Sequence, residues 1–227
     1  MFNLQKFEDI QSNSMTDNPE QRFRTFRHGE WVKFGAYSAE PQANQPRRHI
    51  PEQEYGWKMH IGIDDATPGN LKLGWETILP ILQAKGIKLG KIVNINSTRY
   101  TPYANNNPKQ CGKQMTIYCF KQGNVVEMEQ FWRECFTEIT HALRANNVRC
   151  APLSPSDMPV PGSEYISYRN DSDGMGGYYD GQYNAQIHGA NPFQNIVVNA
   201  PGQTLQRPAY PIEVRQDSGS SSYKFNI

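Results

Sequence analysis

From residue 57 to residue 64 the chain alternates strictly between apolar and polar positions. Trp57, Met59, Ile61 and Ile63 fall on one face, and Lys58, His60, Gly62 and Asp64 on the other. Side chains of a strand point alternately to its two faces, so this period of two predicts a strand with one buried and one polar side. Residues 30–37 (EWVKFGAY), 91–95 (KIVNI), 114–120 (QMTIYCF) and 165–169 (YISYR) are further strand candidates. In the 114–120 segment Tyr118 shares a face with Gln114 and Thr116.

Two segments follow a helical period instead. Over 70–85, Leu71, Trp75, Ile78, Leu79 and Leu82 form a stripe, with Asn70 as N-cap and Gly86 as stop. Pro80 lacks an N–H and is expected to kink this helix or end it early. Over 125–146, Val125, Met128, Phe131, Trp132, Cys135, Phe136, Ile139 and Leu143 make a longer stripe behind a capping-box-like start at Asn124 and Glu127. That stripe reads as core and not as a cofactor surface.

The segments between are of a different kind. Residues 38–55 and the Pro-rich 151–163 read as loops. Residues 1–29 are polar and weakly periodic, and 178–227 turn to Gly, Tyr, Asn, Gln and Ser with little to build a core. A chain of 227 residues buries one substantial core more readily than two. The expectation is a single α+β domain over 30–177, an antiparallel or mixed sheet with two main helices packed on it. A polar N-terminal segment (1–29) and an irregular C-terminal extension (178–227) flank it.

Composition narrows the partners. Lys plus Arg (23) nearly balances Asp plus Glu (22), which gives no overall field to attract nucleic acid or an anionic membrane. No apolar run approaches the length of a bilayer span, and the opening MFNLQKFEDIQSNS lacks the apolar centre of a secretory signal. A soluble monomer is expected. Cys111, Cys119, Cys135 and Cys150 form no C-x-x-C pair, which favours free thiols in a reducing compartment. Asp64 and Asp65 follow a strand and read as a turn start or helix cap before a metal site. His28, His49, His141 and His188 read as surface or half-buried residues.

Lys58 and His60 are two apart on the predicted strand, so an amine and an imidazole project from one rigid face. An amine with a lowered pKa accepts a proton and an imidazole delivers one near neutrality. On spacing alone, K-x-H is a weak signal, and the favoured reading is that both decorate the solvent face of an amphipathic strand. Arg169 offers a planar fork for an anion, or a salt bridge to Asp171 or Asp173. Tyr118 offers a hydroxyl to a ligand, or is an ordinary half-buried strand tyrosine.

Three segments, WKMHIGI (57–63), GKQMTIY (112–118) and YISYRN (165–170), in this order and with the long helix between the second and third, carry a resemblance. Over roughly 28–177 the chain resembles the phosphothreonine lyases, bacterial effectors injected into host cells that remove phosphate from a threonine of mitogen-activated protein kinases by β-elimination. The resemblance implies Lys58 as general base and His60 as general acid. It implies Tyr118 as the tyrosine of the family's T-[LI]-Y strand and Arg169 as a phosphate ligand. Lys91, with Lys88 as the fallback, matches a second lysine that polarises the substrate carbonyl. Two departures stand out: Gly176 occupies the place of another phosphate-binding arginine, and a further arginine ahead of the tyrosine strand is replaced. Lys109 and Arg99 are the candidates for its role, with Arg47 and Arg48 as more distant ones. No metal or organic cofactor is implied. The implied setting is secretion into a host cytoplasm, with a phosphorylated protein as partner. Two alternatives share the fold: a lyase of peptide natural-product maturation, and a module that binds a phosphorylated protein without turning it over.

Overall fold

The computed structural model describes residues 4–12, 16–18, 23–36, 56–100, 102, 111–119, 124–154, 156–172, 183–202 and 206. In chain order its strands are β1 (Thr16–Asn18), β2 (Phe23–His28), β3 (Trp31–Ala36), β4 (Trp57–Ile61), β5 (Leu89–Val93), β6 (Met115–Tyr118), β7 (Met158–Pro159) and β8 (Ile166–Asn170). Its helices are α1 (Phe7–Gln11), α2 (Asn70–Ala84), α3 (Val125–Ala145) and α4 (Ala185–His188). Among the described residues the strands form one sheet in the order β1-β2-β3-β5-β6-β4-β8-β7, and every neighbouring pair is antiparallel.

The alternation of β4 sorts the two sides of this sheet. Met59 lies opposite Ile117 and Tyr168, and Ile61 opposite Met115 and Ile166, so one face is continuous hydrocarbon. Helices α2 and α3 belong to the same core, with Trp75 and Trp132 fully buried and Trp75 edge-on to Phe34 at 5.5 Å. Burying a large apolar side chain is worth roughly 1.5–3 kcal/mol, so this layer fixes which way β4 faces. The opposite residues, Lys58 and His60, are thereby committed to the polar side.

Both main helices form where periodicity places them, with local differences. Asn124 caps α3: its Oδ1 accepts from the Val126 and Glu127 amides at 3.0 and 3.1 Å, while its own amide donates to Glu127 Oε2 at 3.0 Å. Val125 lies outside the stripe, at the first turn, and is exposed. In α2 the N-cap is Gly69 in the left-handed region, and Asn70 is the first helical residue. The Asn70 amide group instead donates to the carbonyls of Asp64 (2.8 Å) and Arg149 (2.9 Å), tying the helix start to the end of β4. Pro80 does not end α2, which continues to Ala84. The proline is exposed while Ile78, Leu79 and Leu82 are buried on either side of it, so packing outweighs the roughly 3 kcal/mol cost of a helical proline.

Both flanking segments reach the core. Phe7 and Ile10 of α1 are buried, the Phe7 amide donates to Glu76 Oε1 at 2.6 Å, and Gln11 Nε2 donates to the Val93 carbonyl at 2.8 Å. Strands β1 and β2 extend the sheet edge. At the other end, Phe193, Ile196 and Val198 are buried, and Phe193 packs against Trp57 at 5.4 Å and Tyr168 at 5.2 Å. A few well-placed apolar residues in a polar segment suffice to dock it. Among the described residues no helix is long and apolar enough to cross a membrane. All four cysteines are buried free thiols.

Candidate active site

Cross-strand pairing lines up the polar face in two rows. In the first, Lys58 stands between Tyr118 of β6 and Arg169 of β8. In the second, His60 stands between Ser167 of β8 and Thr116 of β6, and the row continues through Lys91 of β5 to Lys33 of β3. Directly opposed residues on one face sit close enough to interact, so antiparallel register alone gathers Lys33, Lys58, His60, Lys91, Tyr118 and Arg169.

Carboxylates hold two of these groups. Lys58 Nζ pairs with Asp171 Oδ2, just beyond the end of β8, and sits over the Tyr118 ring at 5.1 Å from its centroid. His60 Nδ1 meets Asp157 Oδ2 at 2.6 Å, and the Ser167 hydroxyl donates to the same oxygen at 3.1 Å. With Asp157 ionised, Nδ1 carries the donated proton and Nε2 is the ring nitrogen left for another partner. Burial pushes the His60 pKa down; Asp157 pulls it back, Lys113 and Lys91 push it further down, and the net shift is downward. The imidazole in this arrangement is therefore neutral at neutral pH. Burial opposes ionisation of Asp157, but His60, Lys113 and Arg169 outweigh it and keep the carboxyl below its ordinary range.

Among the described residues, Lys91 is a strongly perturbed cation. Burial, followed by the charges of Lys58 and Lys33, brings its pKa down to about 7, and its amine lies over the Trp31 ring at 3.8 Å. An amine that titrates at neutrality exchanges protons readily in either direction. Lys33 is itself shifted down, by burial and then by Lys58.

Of the residues singled out from sequence, Lys58, His60, Lys91, Tyr118 and Arg169 come together. Lys88 is exposed ahead of β5, which leaves Lys91 as the lysine of the cluster. Arg99 lies exposed in the turn after β5, its backbone bonded to Ser97 Oγ at 3.2 Å, and no described contact brings it to the cluster. Lys109, Arg47, Arg48 and Gly176 lie outside the described residues. Arg169 is buried, with Nη1 donating to Ser156 Oγ at 2.9 Å, and Asp171 pairs with Lys58. Asp64 accepts from the amides of Ala66 and Thr67 at 3.0 and 3.2 Å, the turn-starting role expected of it. Among the described residues no group of three or more His, Cys, Asp or Glu is arranged to hold a metal ion.

Lys33, Lys113, Ser156 and Asp157 are the members that sequence reading passed over, and Asp171, offered there as a partner for Arg169, pairs with Lys58 instead. For Lys33 a signal existed, since it alternates with the buried Val32 and Phe34. Asp157 had none: it sits in a Pro-rich loop 97 positions from the histidine it holds.

No protein-family model and no curated protein matches the chain. Solved structures do. The type III effector and phosphothreonine lyase OspF of Shigella flexneri is similar at TM-score 0.58 and 17% identity, over 87% of this chain and 88% of that one. The Salmonella plasmid virulence C protein SpvC is similar at 0.56 and 18%, over 86% of each. The phosphothreonine lyase effector VirA of Chromobacterium violaceum is similar at 0.57 and 17%, over 86% of this chain and 85% of that one. At such identity the likeness speaks for the backbone, and the chain has the fold of the phosphothreonine lyases.

Proposed function

We propose that this chain is a carbon–oxygen lyase that removes phosphate from phosphothreonine or phosphoserine in a protein by β-elimination. The observation that carries the reading is a lysine poised at about 7, Lys91, in one cross-strand row with a carboxylate-held histidine, on the polar face of this fold. A host mitogen-activated protein kinase is the proposed target, and delivery as a secreted effector the proposed setting.

Elimination needs a base for the Cα proton, a cation for the charge that develops on the carbonyl oxygen, and an acid for the departing phosphate. Electrostatics supports Lys91 as the base, because about half of it is neutral at neutral pH. Lys58, ion-paired with Asp171, then serves as the carbonyl-polarising cation. This exchanges the two lysine roles expected from the sequence. The Cα–H electron pair becomes the new double bond, the Cβ–O bond breaks, and phosphate leaves with its electron pair. His60 protonates it through Nε2. A phosphate dianion beside the ring favours the imidazolium and offsets the burial that otherwise keeps it neutral. Arg169 binds phosphate oxygens with its fork, and the Tyr118 hydroxyl helps to place them. The products are a dehydroamino acid and inorganic phosphate.

Mass spectrometry of a phosphothreonine peptide panel, with a kinase activation-loop peptide among them, tests this directly. Wild-type protein should remove phosphoric acid, about 98 Da, and both Lys91→Ala and Lys58→Ala should abolish the change. A loss of about 80 Da means hydrolysis and ends the proposal, and protection of an unchanged peptide points to a binding module instead.

Lys33 supplies a pH test. It lies opposite Lys91, and its charge is among the causes of the low Lys91 pKa. In Lys33→Met the Lys91 pKa should rise. A base works when deprotonated, so activity disappears as pH falls through its pKa, and raising that pKa moves the loss to higher pH. The expected result is several-fold lower kcat at neutral pH and an unchanged alkaline plateau. A profile that does not move would remove Lys91 from the base role.

A further inference from the structure

A phosphate next to His60 presents about two negative charges, and a single guanidinium does not match them. A second cation lies close by. Ser156 Oγ accepts from Arg169 Nη1 at 2.9 Å and stands 3.4 Å from Lys113 Nζ, so a guanidinium and an ammonium from different parts of the chain converge on one hydroxyl. Ser156 also contacts Ser154 Oγ and Asp157 Oδ1, each at 3.2 Å, and Lys113 Nζ lies 3.7 Å from the same Asp157 oxygen. The other oxygen of Asp157 holds His60. One half-buried serine thus sits at the meeting point of Arg169, Lys113 and the carboxylate of the proposed acid.

The backbone is shaped for this convergence. Gly112, at φ +70°, lies against residues 152–154, where an added Cβ would come within 2.6 Å of the Pro152 carbonyl oxygen and 2.8 Å of the Ser154 amide. Only a residue without a side chain brings the 111–113 turn this close to the 152–157 loop, and that approach delivers Lys113 to Ser156. Charge agrees as well. Arg169 and Lys113 against Asp157 leave one net positive charge while His60 is neutral, and protonation of His60 makes it two, the complement of a phosphomonoester dianion.

We propose that Lys113, Ser156 and Arg169 form the phosphate subsite, with Lys113 as the second cation in place of the arginine for which Lys109 and Arg99 stood as candidates. The ligand is a phosphomonoester dianion; that a threonine or serine residue carries it rests on the lyase reading. Phosphate oxygens lie between Lys113 and Arg169, and Ser156 donates its hydroxyl to one of them.

Direct titration with inorganic phosphate, by calorimetry, tests the subsite without needing turnover, and steady-state kinetics on the phosphothreonine peptide tests its part in the reaction. Lys113→Met should weaken phosphate binding by about tenfold or more and raise KM similarly, with kcat within a few-fold; Lys113→Arg should restore most of both. Lys72→Met, which removes an exposed lysine paired with Glu8, controls for net charge and should change neither. Unchanged phosphate affinity in a folded Lys113→Met protein, or a loss confined to kcat, overturns the proposal. Elimination by wild type with KM indifferent to Lys113 sinks the subsite and leaves the lyase standing. Phosphate binding that depends on Lys113 without elimination does the reverse.

Discussion

Lys91→Met is expected to abolish phosphate elimination and, in the same protein, to raise the melting temperature below about pH 7. The two effects share one cause. Folding buries the Lys91 amine beside Lys58 and Lys33 and takes its pKa from the ordinary lysine range to about 7. Below that folded pKa the amine is charged in both states, so the native state bears the full cost of burying the cation. That cost is of the order of a few kcal/mol, since each tenfold change in proton affinity is worth about 1.4 kcal/mol. As pH rises from about 7 towards the unfolded lysine value, the native state releases the proton first and the cost fades. An apolar side chain of similar length escapes it altogether. Thermal melts of wild type and Lys91→Met at mildly acidic pH and at mildly alkaline pH should show a gap that narrows as pH rises, while elimination falls by about a thousandfold or more at either pH. A variant that is inactive and equally destabilised at both pH values would show a structural lysine and defeat the assignment.

His60→Asn should bind a phosphothreonine peptide as wild type does and turn it over about 10²–10⁴ times more slowly, since asparagine preserves polarity and loses the proton donor. KM should stay within a few-fold. Asp157→Asn belongs to the same test. It keeps the ring but removes the charge that fixes its tautomer and favours imidazolium, so its kcat should fall less than that of His60→Asn. An undiminished kcat in His60→Asn would leave phosphate departure without this acid.

How much of this was legible in the sequence depends on how local the signal is. The alternation of β4 and the stripe and cap of α3 lie within short windows, and both elements form where they are expected. The same alternation places Lys58 and His60 on one face, and parity along β3 and β5 would have added Lys33 beside Lys91. That Lys91 titrates near neutrality was not legible. That shift depends on burial and then on the charges of Lys58 and Lys33, the last brought opposite Lys91 by the pairing of β3 with β5. The partners of the two β4 groups were also hidden, since Asp157 comes from a loop with no periodicity and Asp171 from just past β8. Lys113 was hidden for a sharper reason: strand parity would put it on the same side as Met115, but β6 has not begun at that point. Composition averages over Phe7, Ile10, Phe193 and Ile196, the few buried residues by which the described parts of the two polar ends meet the core.

The position of β4 between β6 and β8 also bears on when the cluster is assembled. Lys58 meets its carboxylate 113 positions later and His60 meets its own 97 positions later. Contacts of such long separation form slowly and late, because a large loop must close before they bring any stabilisation. A nascent chain that has emerged as far as β6 already carries both lysines, the histidine and the tyrosine, yet neither carboxylate nor the buried arginine. Assembly of the cluster is thus a late step in folding, and it arrives with the strand that completes the far side of β4.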